Sequence, residues 1–134
     1  MELKKSYKGF VIWMIAFIII TIGITFLPVS DAAIMARIVD NISTFGVAVL
    51  AFMIYKTENI YWYTGVSFEE AQKAGSERRK KYAWNHFKRF GLFSLGFCLF
   101  SIIAQILHMG IWIDIVALTA GLVMVAVSTM KFKL

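Results

Sequence analysis

Charged residues are scarce in this chain, and so are the side-chain combinations on which most active sites are built. Only 16 % of its 134 residues are charged, whereas soluble domains average about a quarter. The single cysteine, Cys98, excludes an internal disulfide and a cysteine-rich metal site. The sequence also lacks an HExxH motif and a phosphate-binding glycine loop. We therefore predict that the protein is not an enzyme and uses no metal or cofactor.

Apolar residues, by contrast, are abundant. They make up 60 % of the chain, and a domain of this length has too high a ratio of surface to volume to bury them all in water. Four runs, at about residues 10–27, 36–56, 90–109 and 111–130, are long enough to cross about 30 Å of hydrocarbon. The sequence predicts an all-α, multi-pass protein of the cell membrane, in which residues 1–134 form a single bundle of four transmembrane helices.

Local signals mark the ends of these spans. Pro28 stops the first span, which is longer than the apolar part of a cleaved signal peptide, so we expect this span to stay in the protein. Ser30 or Asp31 is a suitable N-cap for the second helix, whose fully apolar part begins only at Phe45. Only a short turn near Gly110 joins the third and fourth spans, which predicts an antiparallel hairpin.

The distribution of basic residues predicts the orientation. Of the 14 Lys and Arg residues, all except Arg37 lie in the N-terminal tail, at Lys56, in loop 57–89 or in the C-terminal tail. Positive residues favour the cytoplasmic side, so we predict that both termini and loop 57–89 are cytoplasmic. Because these charges flank apolar runs, they indicate membrane topology rather than a nucleic-acid partner.

Loop 57–89 contains a predicted helix of its own. Ser67 and Glu70 form a capping box at its start. The helix is predicted to continue through Gly75 into the third span and to lie on the inner headgroups as a basic amphipathic segment. Its basic cluster consists of Arg78, Arg79, Lys80, Lys81, Lys88 and Arg89. Attraction to anionic lipid headgroups is one interpretation of this basic cluster, and docking of an acidic cytoplasmic partner is the other.

A stripe of polar residues follows the third span. Ser94, Cys98, Ser101, Gln105 and His108 are spaced four, three, four and three apart, which places them on one face of a helix. Because a polar face costs free energy in lipid, the stripe is expected to face another helix or a cavity. Hydrogen bonding between helices is one interpretation, and a polar pocket or pathway is the other.

Charged residues near the outer end of the spans form the candidate polar site. Counted back from Lys56 at about 1.5 Å per residue, Asp40 lies roughly 24 Å into the bilayer. Arg37 lies one turn from Asp40, at pairing distance. The predicted site consists of Arg37, Asp40, Gln105, His108 and Asp114. It is either a functional cluster or only a mark of the membrane–water boundary.

Residues 61–91 resemble part of a known family. The similar segments are Tyr63-Thr64-Gly65-Val66-Ser67-Phe68-Glu69-Glu70, Tyr82-Ala83-Trp84 and Phe87-Lys88-Arg89-Phe90-Gly91. They resemble the loop between two spans in SdpI-like small integral membrane proteins of Gram-positive bacteria, where a Gly-x-x-(Ser/Thr) turn, an acidic pair and an aromatic residue before a glycine-started helix recur. That family includes immunity proteins, so the resemblance implies protection of a producer cell against its own membrane-active toxin.

Two functional hypotheses follow. The first is a non-enzymatic protein that binds a partner within the membrane, either a hydrophobic toxin peptide or a larger complex to which it is an accessory subunit. The second is an oligomeric transporter or channel that uses Asp40, His108 or Asp114 near the outer face. The partner in these hypotheses is a membrane protein, a hydrophobic peptide or a second copy of the chain.

Overall fold

The regular structure of this chain is helical throughout the part described by the computed structural model, residues 2–134. The elements are α1 (Lys8–Ile24), α2 (Ala32–Thr57), a short 3-10 helix (Ile60–Trp62), α3 (Phe68–Ile106) and α4 (Ile111–Thr129). In length and composition α2, α3 and α4 are each sufficient to cross a membrane, whereas α1 is a shorter apolar helix. The predicted all-α fold is confirmed, with three helices of membrane-spanning length.

α1 ends earlier than the predicted first span. Its last residue is Ile24 rather than Leu27, and the chain then turns, with the Thr25 hydroxyl donating to the carbonyl of Ile22 at 2.6 Å. Pro28 has no N–H to continue a helix and disfavours the helical conformation at the residue before it. The 17 residues of α1 therefore cover roughly 26 Å at about 1.5 Å per residue.

α2 is capped by Asp31, the second of the two candidates. The Asp31 carboxylate accepts hydrogen bonds from the backbone N–H groups of Ala33, at 2.8 Å, and Ile34, at 3.3 Å. These bonds satisfy donors that have no partner inside the helix. α2 then continues for 26 residues, or roughly 39 Å, so the polar part before Phe45 is fully helical.

α3 is a 39-residue element with a break at Gly75. Ser67 accepts from the N–H of Glu70 at 3.1 Å, and Glu70 accepts from the N–H of Ser67 at 2.8 Å, which confirms the predicted capping box. Gly75 has φ 78° and ψ 162°, a conformation that favours glycine. The expected continuous helix is therefore wrong at this point. Because α3 is much longer than about 30 Å of hydrocarbon, its first part lies outside any bilayer that it crosses.

Close approach between helices occurs at two glycines. α2 packs most extensively on α3, while α4 lies against α3 and α1 against α2. Gly46 of α2 faces the ring of Phe17 in α1, and Gly121 of α4 faces the ring of Phe93 in α3. A Cβ atom at either glycine would overlap the facing ring. The third and fourth predicted spans thus form the expected hairpin.

A hydrophobic core of buried residues lies at the end of the molecule where α2 ends. Its buried members are Leu3, Ile54, Ile60, Tyr61, Ala71, Tyr82 and Ala83, with Phe132 and Leu134 packed against them. The Tyr61 hydroxyl also donates to the carbonyl of Ser6 at 2.8 Å and accepts from its N–H at 2.8 Å. The N-terminal tail, loop 57–67 and the residues after α4 therefore share one end of the molecule.

We expect Gly46→Ala and Gly121→Ala to destabilise the protein by about 1–3 kcal/mol each, because the added methyl group overpacks against an aromatic ring. Gly96 of α3 has open space around the position of a Cβ. Gly96→Ala is the matched control and should be neutral or stabilising by up to about 1 kcal/mol. Unfolding of the purified protein in detergent, followed by tryptophan fluorescence, measures the difference, and equal losses in all three variants would contradict this packing.

Candidate functional site

Three of the five predicted polar site residues are in direct contact. Arg37 donates through Nε to Asp114 Oδ1 at 3.3 Å and through Nη1 to Gln105 Oε1. Its Nη2 donates to the carbonyl oxygen of Met109 at 2.5 Å, and the Ser101 hydroxyl donates to Asp114 Oδ2 at 2.7 Å. We call Arg37, Ser101, Gln105 and Asp114 the Arg37 cluster. It joins α2, α3 and α4 next to the turn between the last two helices.

The ion pair of Arg37 differs from the expected one. Its carboxylate partner is Asp114, on another helix, rather than Asp40, one turn away on the same helix. Arg37 is 6 % exposed and Asp114 is fully buried. In such surroundings each charge needs a compensating group, since a buried charge without a partner costs several kcal/mol, about 3–5 when one member of a pair is removed.

Two oxygen atoms beside the Arg37 cluster are buried without a hydrogen-bond partner among the described residues. They are Asp40 Oδ2 and Asn41 Oδ1. The orientation of the Asn41 amide is fixed, because its nitrogen donates to the carbonyl of Arg37 at 2.8 Å. An acceptor left unpaired in a buried position costs free energy. These two oxygens therefore carry a desolvation cost that no hydrogen bond among the described residues offsets.

His108 lies apart from the Arg37 cluster. Helical spacing predicts that His108 belongs to the polar stripe only if the third span remains helical to residue 109. α3 ends at Ile106, and His108 has a left-handed φ of 54° in the turn that follows. Its side chain is exposed. Because the helix ends before His108, this residue belongs neither to the polar stripe nor to the Arg37 cluster.

The rest of the stripe divides between the helix interface and the surface. Ser94 and Ser101 are buried. The Ser94 hydroxyl lies 3.5 Å from Thr44 Oγ1 on α2, at the long limit for a hydrogen bond, and Ser101 binds Asp114. Cys98, between them in sequence, is exposed. Ser94 and Ser101 therefore lie at contacts between helices, as one of the two interpretations of the stripe predicts. Cys98 instead lies on an open surface.

That surface is a groove of about 460 Å³ between α2 and α3. Its apolar walls are Ile34, Ile38, Ile42 and Phe45 from α2 with Leu95 and Ile102 from α3. The polar residues of its lining are Arg37, Asn41, Ser94, Cys98, Ser101 and Gln105, but the surface that they present to the groove is almost wholly apolar. The lining residues come from 34–45 and 94–105, and each of these segments covers roughly 16 Å at about 1.5 Å per residue. The groove is thus three helical turns long.

The polar face of α2 that lies toward α3 is not among the predicted site residues, apart from Arg37. Arg37, Asn41 and Thr44 are spaced four and three apart, which is the same helical pattern as that of the stripe on α3. The spacing rule, applied to α2, is therefore sufficient to identify Asn41 and Thr44. Among residues 2–134 no group of three or more metal-binding side chains is present.

A second charged cluster lies at the other end of α2. Glu58 follows the helix with φ 60°, and its side chain is fully buried. Its carboxylate accepts from Arg79 Nε at 2.9 Å and from the Ser76 hydroxyl at 2.7 Å, and Lys80 Nζ is 3.6 Å away. Burial alone raises the pKa of Glu58, but the hydrogen bonds from Ser76 and Arg79 and the charges of Arg79 and Lys80 outweigh it, so the pKa is below its ordinary value. We call these four residues the Glu58 cluster.

The predicted basic docking cluster is therefore divided. Arg79 is buried against Glu58, and Lys80 is within ion-pair distance of the same carboxylate. The Arg89 guanidinium lies 5.6 Å from the centre of the Phe132 ring, a cation–π contact. The remaining members, Arg78, Lys81 and Lys88, are exposed. Two of the six cations are thus committed to an internal ion pair.

We expect Arg37→Met and Asp114→Leu each to destabilise the protein by about 3–5 kcal/mol, because each leaves one buried charge uncompensated. The double variant removes both charges and should recover most of that loss. His108→Gln, which alters an exposed side chain at the same end, is the control and should be silent. Unfolding in detergent measures all four, and strictly additive losses in the double variant would exclude the coupling.

Comparison with family models, with curated proteins and with solved structures finds no match to this chain. The resemblance of residues 61–91 to the loop of SdpI-like proteins therefore stays a prediction.

Proposed function

We propose that the chain is a non-enzymatic, multi-pass cell-membrane protein that binds an apolar transmembrane helix of a partner in the groove between α2 and α3. The partner helix belongs to a membrane-active peptide, against which the chain gives immunity-type protection, or to a membrane complex of which the chain is an accessory subunit. The observation that carries this proposal is the groove itself, which is open on one side and presents an almost wholly apolar surface.

The shape and chemistry of the groove favour a helix as its occupant. Its length of roughly 16 Å equals about three turns, the extent of an ordinary contact between two helices. Its side chains come from two neighbouring helices, so a third helix can lie between them and make side-chain contacts with both.

The internal pairing of the charges supports a binding role. Arg37 donates to three acceptors, and Asp114 accepts from both Arg37 and Ser101. These bonds keep the polar groups of α2, α3 and α4 in fixed positions. A preorganised surface of this kind loses less conformational entropy when a partner binds.

An oligomeric transporter or channel is the alternative, and one observation favours it. Asp40 Oδ2 is buried and has no hydrogen-bond partner among residues 2–134. Ionisable residues within transmembrane segments often mark ion or proton pathways. In this alternative Asp40 carries the transported charge, and the Arg37 cluster holds the helices around it.

We further propose that α1 crosses the bilayer together with α2, α3 and α4, so that both termini and loop 57–89 face the cytoplasm. The 17 residues of α1 are at the lower limit for a span. The tails and the loop share one end of the molecule, and that end carries nearly all of the basic residues. A cytoplasmic position for this end agrees with the preference of positive loops for the inner side.

Single-cysteine labelling tests this topology. In a Cys98→Ser background, Lys4→Cys and Glu77→Cys should react with a membrane-impermeant maleimide only after the cells are permeabilised. His108→Cys should react in intact cells, because the turn after α3 is at the opposite end. Labelling of Lys4→Cys in intact cells would contradict the position of the N-terminal tail, and the reverse pattern at Glu77 and His108 would invert the whole arrangement.

Disulfide trapping tests the groove. The probe is a Leu/Ala helical peptide of about 20 residues with one central cysteine and a neighbouring serine, reconstituted with the protein in liposomes. Cys98 should form an adduct with the peptide under a mild oxidant. Leu99→Cys in a Cys98→Ser background is the control, because Leu99 is exposed but lies outside the groove lining. Equal adduct yields at the two positions would exclude the groove as the site.

Blocking the groove gives a second arm of the same experiment. Ile102 lines the groove and is 52 % exposed, whereas Ile103 lies outside the lining and is 55 % exposed. Ile102→Trp should lower the adduct yield about tenfold, as expected for the loss of roughly 1.4 kcal/mol of binding. Ile103→Trp should leave it unchanged.

Asp40→Asn separates the two functions. Under the binding function the variant forms the Cys98 adduct like the unaltered protein. Under the transport alternative the protein conducts protons or small cations across the liposome membrane, and Asp40→Asn abolishes this flux. Flux that depends on Asp40, without an adduct at Cys98, would reject binding in favour of transport.

A further inference from the structure

A second cavity, of about 510 Å³, lies at the end of the molecule that holds the tails. Three cations line it, Lys73 and Arg78 from the two sides of the Gly75 break and Lys133 from beyond α4. Its one acidic residue is Glu70, which is already bound to the backbone N–H of Ser67 at 2.8 Å. Glu70 offsets one of the three positive charges, since its pKa is lowered by the hydrogen bonds with Ser67 and also by the charge of Lys73, and the side chains of the lining keep a net positive charge.

The cavity lies beside the ends of the proposed spans. Lys133 follows the end of α4 at Thr129 by only four residues. Tyr82, another lining residue, precedes the apolar part of α3, which begins near Phe90. Lys133 is thus close to the headgroup layer, and Lys73 and Arg78 line the same cavity from the part of α3 that lies beyond the hydrocarbon.

We propose that this cavity is a binding site for the phosphate group of an anionic membrane lipid, contacted by Lys73, Arg78 and Lys133. Basic pockets beside transmembrane helices bind such headgroups through their phosphate oxygens. Val66 and Phe132 supply an apolar surface in the same cavity, which suits the glycerol and first methylene groups of a lipid rather than a free ion. This site is separate from the groove between α2 and α3 and does not depend on what the groove binds.

The site also explains why the basic residues of this region are not equivalent. Arg79 and Lys80 neutralise Glu58, so they hold α3 against the end of α2. Arg78, their immediate neighbour, points instead into the cavity together with Lys73. Lys81 and Lys88 are exposed and lie outside the lining. The basic residues of this region thus have three roles. Arg79 and Lys80 pair with Glu58, Arg78 and Lys73 line the cavity, and Lys81 and Lys88 are exposed to solvent.

Native mass spectrometry of the purified protein with phosphatidylglycerol tests the site. Each cation near an anionic surface contributes about fivefold in affinity, so the triple variant Lys73→Gln, Arg78→Gln, Lys133→Gln should bind this lipid about a hundredfold more weakly. The control variant Lys4→Gln, Lys81→Gln, Lys88→Gln loses the same charge outside the cavity. It should bind less than about fivefold more weakly. Equal weakening in both variants would show general attraction and overturn the site.

Three further probes distinguish the source of the phosphate. Phosphatidylcholine, which has no net charge, should compete poorly, and inorganic phosphate should not displace phosphatidylglycerol at millimolar concentration. Displacement by inorganic phosphate would assign the cavity to a free anion, and displacement by an oligoglutamate peptide would assign it to an acidic protein. If the triple variant does not fold, Lys133→Gln, which alters a residue outside the helices, should still weaken lipid binding about fivefold.

Discussion

A guanidinium group inside a helix bundle must have an acceptor for its N–H donors, and this requirement governs the arrangement of α2, α3 and α4. Arg37 meets it with one carboxylate, one side-chain amide and one backbone carbonyl, all from beyond its own helix. The acceptors can be assembled only when the turn after α3 and the first turn of α4 lie beside α2. One desolvated cation therefore fixes the relative positions of three helices, and with them the groove.

Much of the fold could be predicted because its signals are local. Long apolar runs, the Asp31 cap and the pairing of Ser67 with Glu70 depend on residues close together in sequence. The pairing of Arg37 could not be predicted in this way. Asp40 is nearer in sequence, but Asp114 lies 77 positions away and approaches only through the packing of α4. Tertiary packing therefore decides which of the two carboxylates pairs with Arg37.

Backbone conformation accounts for two other departures from the predicted structure. Helical spacing assigned His108 to the polar stripe, yet the helix had already ended, so the periodic rule no longer applied. Gly75 adopts a positive φ and breaks the helix. Sequence alone does not predict this break, because glycine is also tolerated inside helices at a modest cost in free energy. Each departure occurs where a single residue leaves the helical region. Arg78 and Arg79 both follow Gly75 and have different roles because consecutive residues of a helix point about 100° apart.

The core that joins the tails has a consequence for biogenesis. Leu3 and Phe132 belong to the same packed unit as loop residues such as Ile60, although they come from opposite ends of the described chain. This unit closes only after α4 has been synthesised and inserted. A chain in which one helix enters the membrane the wrong way would carry its two tails to opposite faces and leave Ile60 uncovered. The tail core can therefore form only in a chain whose two tails lie on the same side as residues 57–67.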